Sequence, residues 1–250
     1  MIALLSPESG HSPNADDLNA LYWMMFVVGG ILLIAVNAAL VGVIARFRAA
    51  RGKEPRRVTV RRPAQLAIAG ALSALAAVVF VVGVIVTENA KQVEASGPDG
   101  LQAASVRTAQ RTLEVPSGET APLEVRACGQ QWLWRYEYPD GTYSYYELVV
   151  PVDTAVVVNL CSTDVVHRWW VPGLGGKFDA VPGESNKTWF KADRTGEFDG
   201  QSYAFSGAGY AAMRTRVTVV EVPAYEAWLE EQAAGIQEAQ AYVQERNAGD

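Results

Sequence analysis

Residues 21–45 read LYWMMFVVGGILLIAVNAALVGVIA and carry no charged side chain. At 1.5 Å per residue a helix of that length crosses a hydrocarbon core of about 30 Å. A helix lying on a soluble core would show polar residues on one face every three or four positions, and this run does not. Residues 66–86, LAIAGALSALAAVVFVVGVIV, have the same character. Together the two runs predict a transmembrane hairpin over 21–90, with spans at about 21–45 and 66–86.

The segment between the spans, residues 46–62, reads RFRAARGKEPRRVTVRR and sets eight Lys and Arg against the single Glu54, a net of +7. Short basic loops stay on the cytoplasmic side, so the N-terminal segment 1–20 and everything after the hairpin are expected outside the cytoplasm. The same basic run could be read as a nucleic-acid patch, but it is too short to fold and is flanked by spans, so no nucleic-acid partner is expected. From Lys91 onward 13 Lys and Arg face 22 Asp and Glu, a net of −9 that the whole-chain value of −6 conceals. Such charge keeps a domain soluble, or steers a basic partner towards it. Residues 1–19 lack the basic n-region of a secretory signal, so the first span is expected to be its own uncleaved insertion signal, with processing near Ser6 left open.

Beyond the spans, residues 91–107 are small and polar and read as a connector. Residues 108–222 then follow a β grammar. TLEVPSG, PLEVRACGQQWLWRYEY, YSYYELVVPVDTAVVVNLCS, NKTWFKAD and MRTRVTVVEV are rich in β-branched and aromatic residues and are separated by Pro-Asp-Gly, Pro-Gly and Thr-Gly turns. Short strands at that spacing predict a sandwich or barrel. Pro223 opens a stretch with early glutamates and apolar spacing, so residues 223–250 are expected to be a surface helix and tail, pinned by Tyr225 and Trp228. In the spans, Asn37 and Ser73 are the clearly polar groups and are expected to bond between helices; Gly29, Gly30, Gly42 and Gly70 would allow close approach of a membrane partner. Cys128 and Cys161 both fall in the exported part, where a disulfide and two buried thiols are equally open. No nucleotide loop, hydrolytic triad, zinc spacing or paired carboxylate is present to give the chain chemistry of its own.

Four motifs then occur in order after the spans: GQQWLWRYEYPDG at 129–141, ELVVPVDT at 147–154, STDVVHRWWVPGLGGKFDAVPG at 162–183 and KTWFKADRTGEFDGQS at 187–202. The ordered set resembles subunit II of the haem–copper oxidases, the respiratory terminal oxidases, over nearly the whole chain. The resemblance implies a cupredoxin-like β-sandwich standing outside a prokaryotic plasma membrane on a two-helix hairpin, with subunit I and subunit III as partners and with haem and copper in subunit I. In the copper-bearing branch the sandwich holds the dinuclear CuA centre and takes electrons from cytochrome c. Carried over residue by residue, the first imidazole position is His167, the two thiolate positions are Ser202 and Ser206, the carbonyl ligand and magnesium-binding carboxylate position is Ala204, the second imidazole position is Tyr210 and the thioether position is Met213.

Two soft bridging thiolates are what let a copper pair share one electron, and a serine hydroxyl stays protonated and hard. The two histidines of the chain are His11, ahead of the first span, and His167, so no substitute ligand set exists by count. The expectation is a sandwich with no cofactor or metal in this chain and His167 as a hydrogen-bonded structural residue; a mononuclear copper on His167 and Met213 lacks the Cys and second His that blue sites use. The loop SYAFSGAGYAAM is similar to that of quinol oxidases in the family, and Phe205 and Tyr210 are expected to fill the vacated volume. GQQWLWRYEYP and KFDAVPG look instead like the cytochrome c branch, in which a tryptophan of the segment holding Trp132 and Trp134 receives the electron; here strand packing is the expected role of both. The function implied is a non-redox structural subunit II of a terminal oxidase fed by quinol or by an unusual docked cytochrome donor complex. A subunit of a related nitric-oxide-reducing enzyme and a membrane-anchored binding module are the alternatives.

Overall fold

The computed structural model describes residues 9–46, 62–101 and 121–248. It contains two long apolar helices, a β-sandwich and a C-terminal helix. Asn19–Asn89 forms one compact unit, and the described residues of Met1–Leu18 and Ala90–Asp250 form the other.

Helix α1 (Pro13–Arg46) begins eight residues before the apolar run does. The reason is local: Ser12 accepts the Ala15 and Asp16 amides on its carbonyl, Pro13 supplies a preset first turn, and Asp16 adds negative charge near the helix N-terminus. This polar turn belongs to the sandwich, where Ser12, Asn14 and Ala15 are buried. Helix α2 (Arg62–Asn89) likewise outruns its predicted span. Both helices are long and apolar enough to cross a membrane. The basic loop, at residues 47–61, lies outside the described residues, as does Ser6. Asn37 does not reach across to another helix; its amide nitrogen donates to the Leu33 carbonyl one turn back, 2.8 Å away. Gly29, Gly30, Gly42 and Gly70 have only open space beside them among the described residues.

Among the described residues the sandwich has ten strands: β1 (Leu123–Gln130), β2 (Leu133–Glu137), β3 (Tyr143–Tyr145), β4 (Glu147–Pro151), β5 (Ala155–Ser162), β6 (His167–Trp169), β7 (Phe178–Ala180), β8 (Asn186–Lys191), β9 (Gly196–Gln201) and β10 (Arg214–Val220). One sheet runs in the order β3-β2-β1-β5-β8, a second in the order β4-β10-β9, and β6 pairs with β7 as a two-stranded ribbon. Alternation selects the inner face. Leu123, Val125 and Ala127 of β1 and Val217 and Val219 of β10 point inward, while Glu124 and Arg126 point out. Trp134, Tyr136, Trp169 and Phe190 fill the space between the sheets. The polar tips in that core are matched: the Trp169 indole donates to the Tyr136 hydroxyl at 2.9 Å, and Tyr136 in turn meets Thr215. Burial outweighs these bonds and raises the Tyr136 hydroxyl pKa.

Residues 91–101 are tied down rather than loose. Gly97 N donates to Asp153 O, Leu101 N to Thr154 Oγ1, and Ala155 N to Ser96 Oγ, all within 3.0 Å. The strand expected at TLEVPSG lies outside the described residues. Helix α3 (Val222–Ala248) is pinned as its aromatics predict, with Trp228 edge-on to Tyr138 at a centroid distance of 5.1 Å and Tyr225 buried beside them.

Candidate functional site

At the start of β6 the chain places His167, fully buried, with its ring lying on the backbone of Gly129. A side-chain carbon at Gly129 would sit 2.8 Å from that ring, so the end of β1 has to be glycine for the imidazole to occupy this position. Its Nε2 bonds Asp164 Oδ1 at 2.8 Å. The other Asp164 oxygen accepts from Gln131 N at 2.7 Å, and Oδ1 also accepts from Val165 N at 2.6 Å. Partial burial alone would raise the Asp164 carboxyl; the bonds from Gln131, His167 and Val165 outweigh it and hold the pKa at about 2, against an ordinary 3.8. Asp164 therefore orients the imidazole and joins β6 to the bend after β1.

The loop after β9 runs alongside β6. Gln201 N donates to Trp170 O and Tyr203 N to Arg168 O, while Ser202 N donates to Met213 O and Ser202 Oγ accepts from Arg168 N. Farther along, Ser206 O accepts from Gln131 Nε2 at 2.7 Å and from Trp132 Nε1 at 3.0 Å. The loop approaches so closely that a side chain at Gly209 would meet the Trp132 ring at 2.4 Å. Its residues alternate: Ser202, Ser206 and Met213 are buried, Ala204 is half-buried, and Tyr203, Phe205 and Tyr210 face out. Four of the six positions assigned from sequence, His167, Ser202, Ser206 and Met213, are thus gathered in the interior, while Ala204 and Tyr210 are not.

The packing role expected of Phe205 and Tyr210 is corrected by this alternation. Phe205 is 78% exposed and meets edge-on the less exposed but also outward Tyr210, with centroids 5.2 Å apart. Backbone bonds on both sides of Ser202 and Ser206 fix which residues turn inward, and the intervening aromatics have nowhere to go but out. The two tryptophans also part ways. Trp134 is fully buried in the core, with its ring edge-on to His167 at 6.0 Å, whereas Trp132 is 41% exposed and lies over the loop. Lys177 sits over the rings of Trp170 and Tyr203, 4.3 and 3.7 Å from their centroids. Asp164, Gln131, Gly129 and Gly209 organise the site yet escaped the sequence reading. Only Asp164, three residues before the histidine, left a local signal.

Cys128 and Cys161 form a disulfide, which decides the alternative left open by sequence. They lie directly opposite one another on the parallel pair β1 and β5, with Cα atoms 4.6 Å apart. Both point to the outer face and away from the buried serines. His11 pairs with Asp193 at 3.2 Å, far in sequence from the loop.

As a donor set, the buried groups do not match a thiolate-bridged copper pair. Ser202 and Ser206 offer two alcohols, His167 one imidazole and Met213 one thioether, and the cysteines are bonded to each other. Among the described residues no three His, Cys, Asp or Glu side chains cluster as a metal site.

The family model described as "Cytochrome C oxidase subunit II, periplasmic domain" matches residues 143–220, which run from β3 to the end of β10. Cytochrome c oxidase subunit 2 of Cereibacter sphaeroides is 28% identical across 95% of this chain and 83% of its own length. Cytochrome c oxidase subunit 2 of Alkalihalophilus pseudofirmus is 35% identical, over 46% of this chain and 34% of its own length. The crystal structure of the periplasmic domain of subunit II of cytochrome oxidase from Bradyrhizobium japonicum is 34% identical and superposes with a TM-score of 0.45, covering 46% of this chain and 96% of that domain. On the family model and the cytochrome c oxidase subunit 2 relatives, the chain belongs to the subunit II family of the haem–copper oxidases.

Proposed function

We propose that this chain is a copper-free, structural subunit II of a haem–copper terminal oxidase, in which electrons reach subunit I from quinol or from a docked donor without passing through the sandwich. The observation that carries the reading is the inward placement of Ser202 and Ser206, with hydroxyls at the two positions that a copper pair needs as thiolates. Side-chain hardness, not loop shape, is what fails: the loop is folded and bonded on both sides. Subunit III and a lipid bilayer complete the proposed surroundings.

Placement outside the cytoplasm is supported from two directions. The basic connection favours the cytoplasmic side, and residues 12–15, which precede the first apolar run, pack within the same unit as the β domain. A free-standing binding module would leave the apolar flanks of both helices without a protein partner, which favours an oxidase complex over that alternative.

The test is purification of the complex in mild detergent, followed by metal and haem analysis of the chain and its companions. Haem co-migrating with the chain, no copper attributable to it and no near-infrared band of thiolate-bridged copper are expected. A copper pair in this chain would overturn the reading. Turnover with quinol should be insensitive to salt; a steep fall with ionic strength would point to a basic soluble cytochrome steered by the −9 exterior.

A further inference from the structure

Among the described residues four buried side-chain polar atoms have no hydrogen-bond partner, and three of them, His167 Nδ1, Trp134 Nε1 and Ser206 Oγ, sit on residues linked to one another. The rings of Trp134 and His167 meet edge to face at 6.0 Å. Ser206 is held to the same wall, since its carbonyl accepts from Gln131 and Trp132, and the Gln131 amide is bonded to the carboxylate that holds His167. Folded proteins leave very few buried polar groups unpaired, so three on one linked set of residues point to a common partner.

The chemistry of the three atoms says what kind of partner. The Asp164 carboxylate only accepts, so His167 carries its hydrogen on Nε2 and presents a lone pair at Nδ1. The indole of Trp134 only donates, and the hydroxyl of Ser206 does either. One acceptor, one donor and one ambivalent group are the requirements of a buried water, which makes about three such bonds. We propose that the former copper position holds one structural water, accepting from Trp134 Nε1, donating to His167 Nδ1 and sharing a hydrogen with Ser206 Oγ. The inference rests on the copper-free reading above and adds what occupies the site in place of the metal bridge.

The test uses the full chain in detergent with 15N-labelled histidine and tryptophan. A persistent rotating-frame cross-peak between water and the Trp134 indole hydrogen is expected, together with a His167 Nε2–H tautomer whose Nδ1 resonates as a hydrogen-bonded acceptor. Ser206→Val should abolish the cross-peak and move Nδ1 to the value of a free lone pair, whereas Ser206→Thr should preserve both. If Ser206→Val fails to fold, the wild-type cross-peak and the Ser206→Thr comparison still decide. No cross-peak in the wild-type chain, with Nδ1 already at the free value, would overturn the water while leaving the copper-free reading intact. Titration with Ag(I) separates the two failures: no saturable shift of His167 is expected, and a shift complete at one metal per chain would overturn both.

Discussion

On the proposed reading, oxygen in place of sulfur at each of two positions decides how the site behaves. Ser202 and Ser206 already occupy the inward-facing positions of the loop, and His167 and Met213 are already buried beside them. The scaffold is therefore short only of soft donors and one imidazole. The triple variant Ser202→Cys, Ser206→Cys, Tyr210→His is expected to take up copper as a thiolate-bridged pair with near-infrared absorbance, while the parent chain does not; absorption and metal content check this. Tyr210 faces out, so the variant also requires the short 3-10 turn at Tyr210–Ala212 to rotate inward, and the double cysteine variant alone should bind less tightly. Asp164 gives a second prediction. Its carboxyl is lower folded, at about 2, than its ordinary 3.8, so its contribution to stability is fully present above pH 3.8 and is lost as the pH falls through about 2. Asp164→Asn should flatten the acid-denaturation profile between those values and, by weakening bonds to Gln131, Val165 and His167, lower stability by about 1–2 kcal/mol at neutral pH, read from tryptophan fluorescence in denaturant.

Among the elements, β1 and β5 carry the sheet and hold the site from behind. They pair in parallel through the middle of the five-stranded sheet, and their final residues deliver Gly129 under His167 and the Cys128–Cys161 bond on the opposite face. Parallel neighbours need a long crossover, and the disulfide closes one with a sequence separation of 33. Chain-entropy reasoning puts its contribution at about 2–4 kcal/mol. The variant Cys128→Ser, Cys161→Ser should lower the denaturation midpoint accordingly without changing metal content, since neither sulfur faces the interior. An equal loss of site integrity, seen as a changed His167 resonance, would show that the bond also sets the position of Gly129.

For the whole molecule, two segments far apart in sequence, at Asn14 and at Ala90, are tied within the β-domain unit to one residue. Trp189 accepts the Asn14 side chain on its carbonyl and donates its indole hydrogen to Ala90 O at 2.8 Å, while Lys191, two residues on, donates its amide to Ser12 Oγ. Trp189→Phe keeps the ring but loses the indole bond. It is expected to destabilise the domain by about 1 kcal/mol and to speed limited proteolysis at residues 90–96, with copper and haem content unchanged. Unchanged cleavage would show that the bonds from Gly97 and Leu101 suffice to hold the connector.

The hairpin was legible because a bilayer imposes a length and a composition that need no tertiary partner, and the sandwich because alternation and turn residues act within a few positions. That Ser202 and Ser206 offer hard hydroxyls was legible too, since residue identity alone sets donor hardness. Which way each loop residue faces was not. Phe205 and Tyr210 look like core residues by type, yet hydrogen bonds that tie Ser202 to Arg168 and Met213, and the Ser206 carbonyl to the side chains of Gln131 and Trp132, accompany inward serines and outward aromatics. The same holds for the disulfide, the Asp164 clamp and the Trp189 tie, whose partners lie 33, 33 and 99 or more residues apart. Contacts across such separations depend on strand register and sheet order, which only the folded chain specifies.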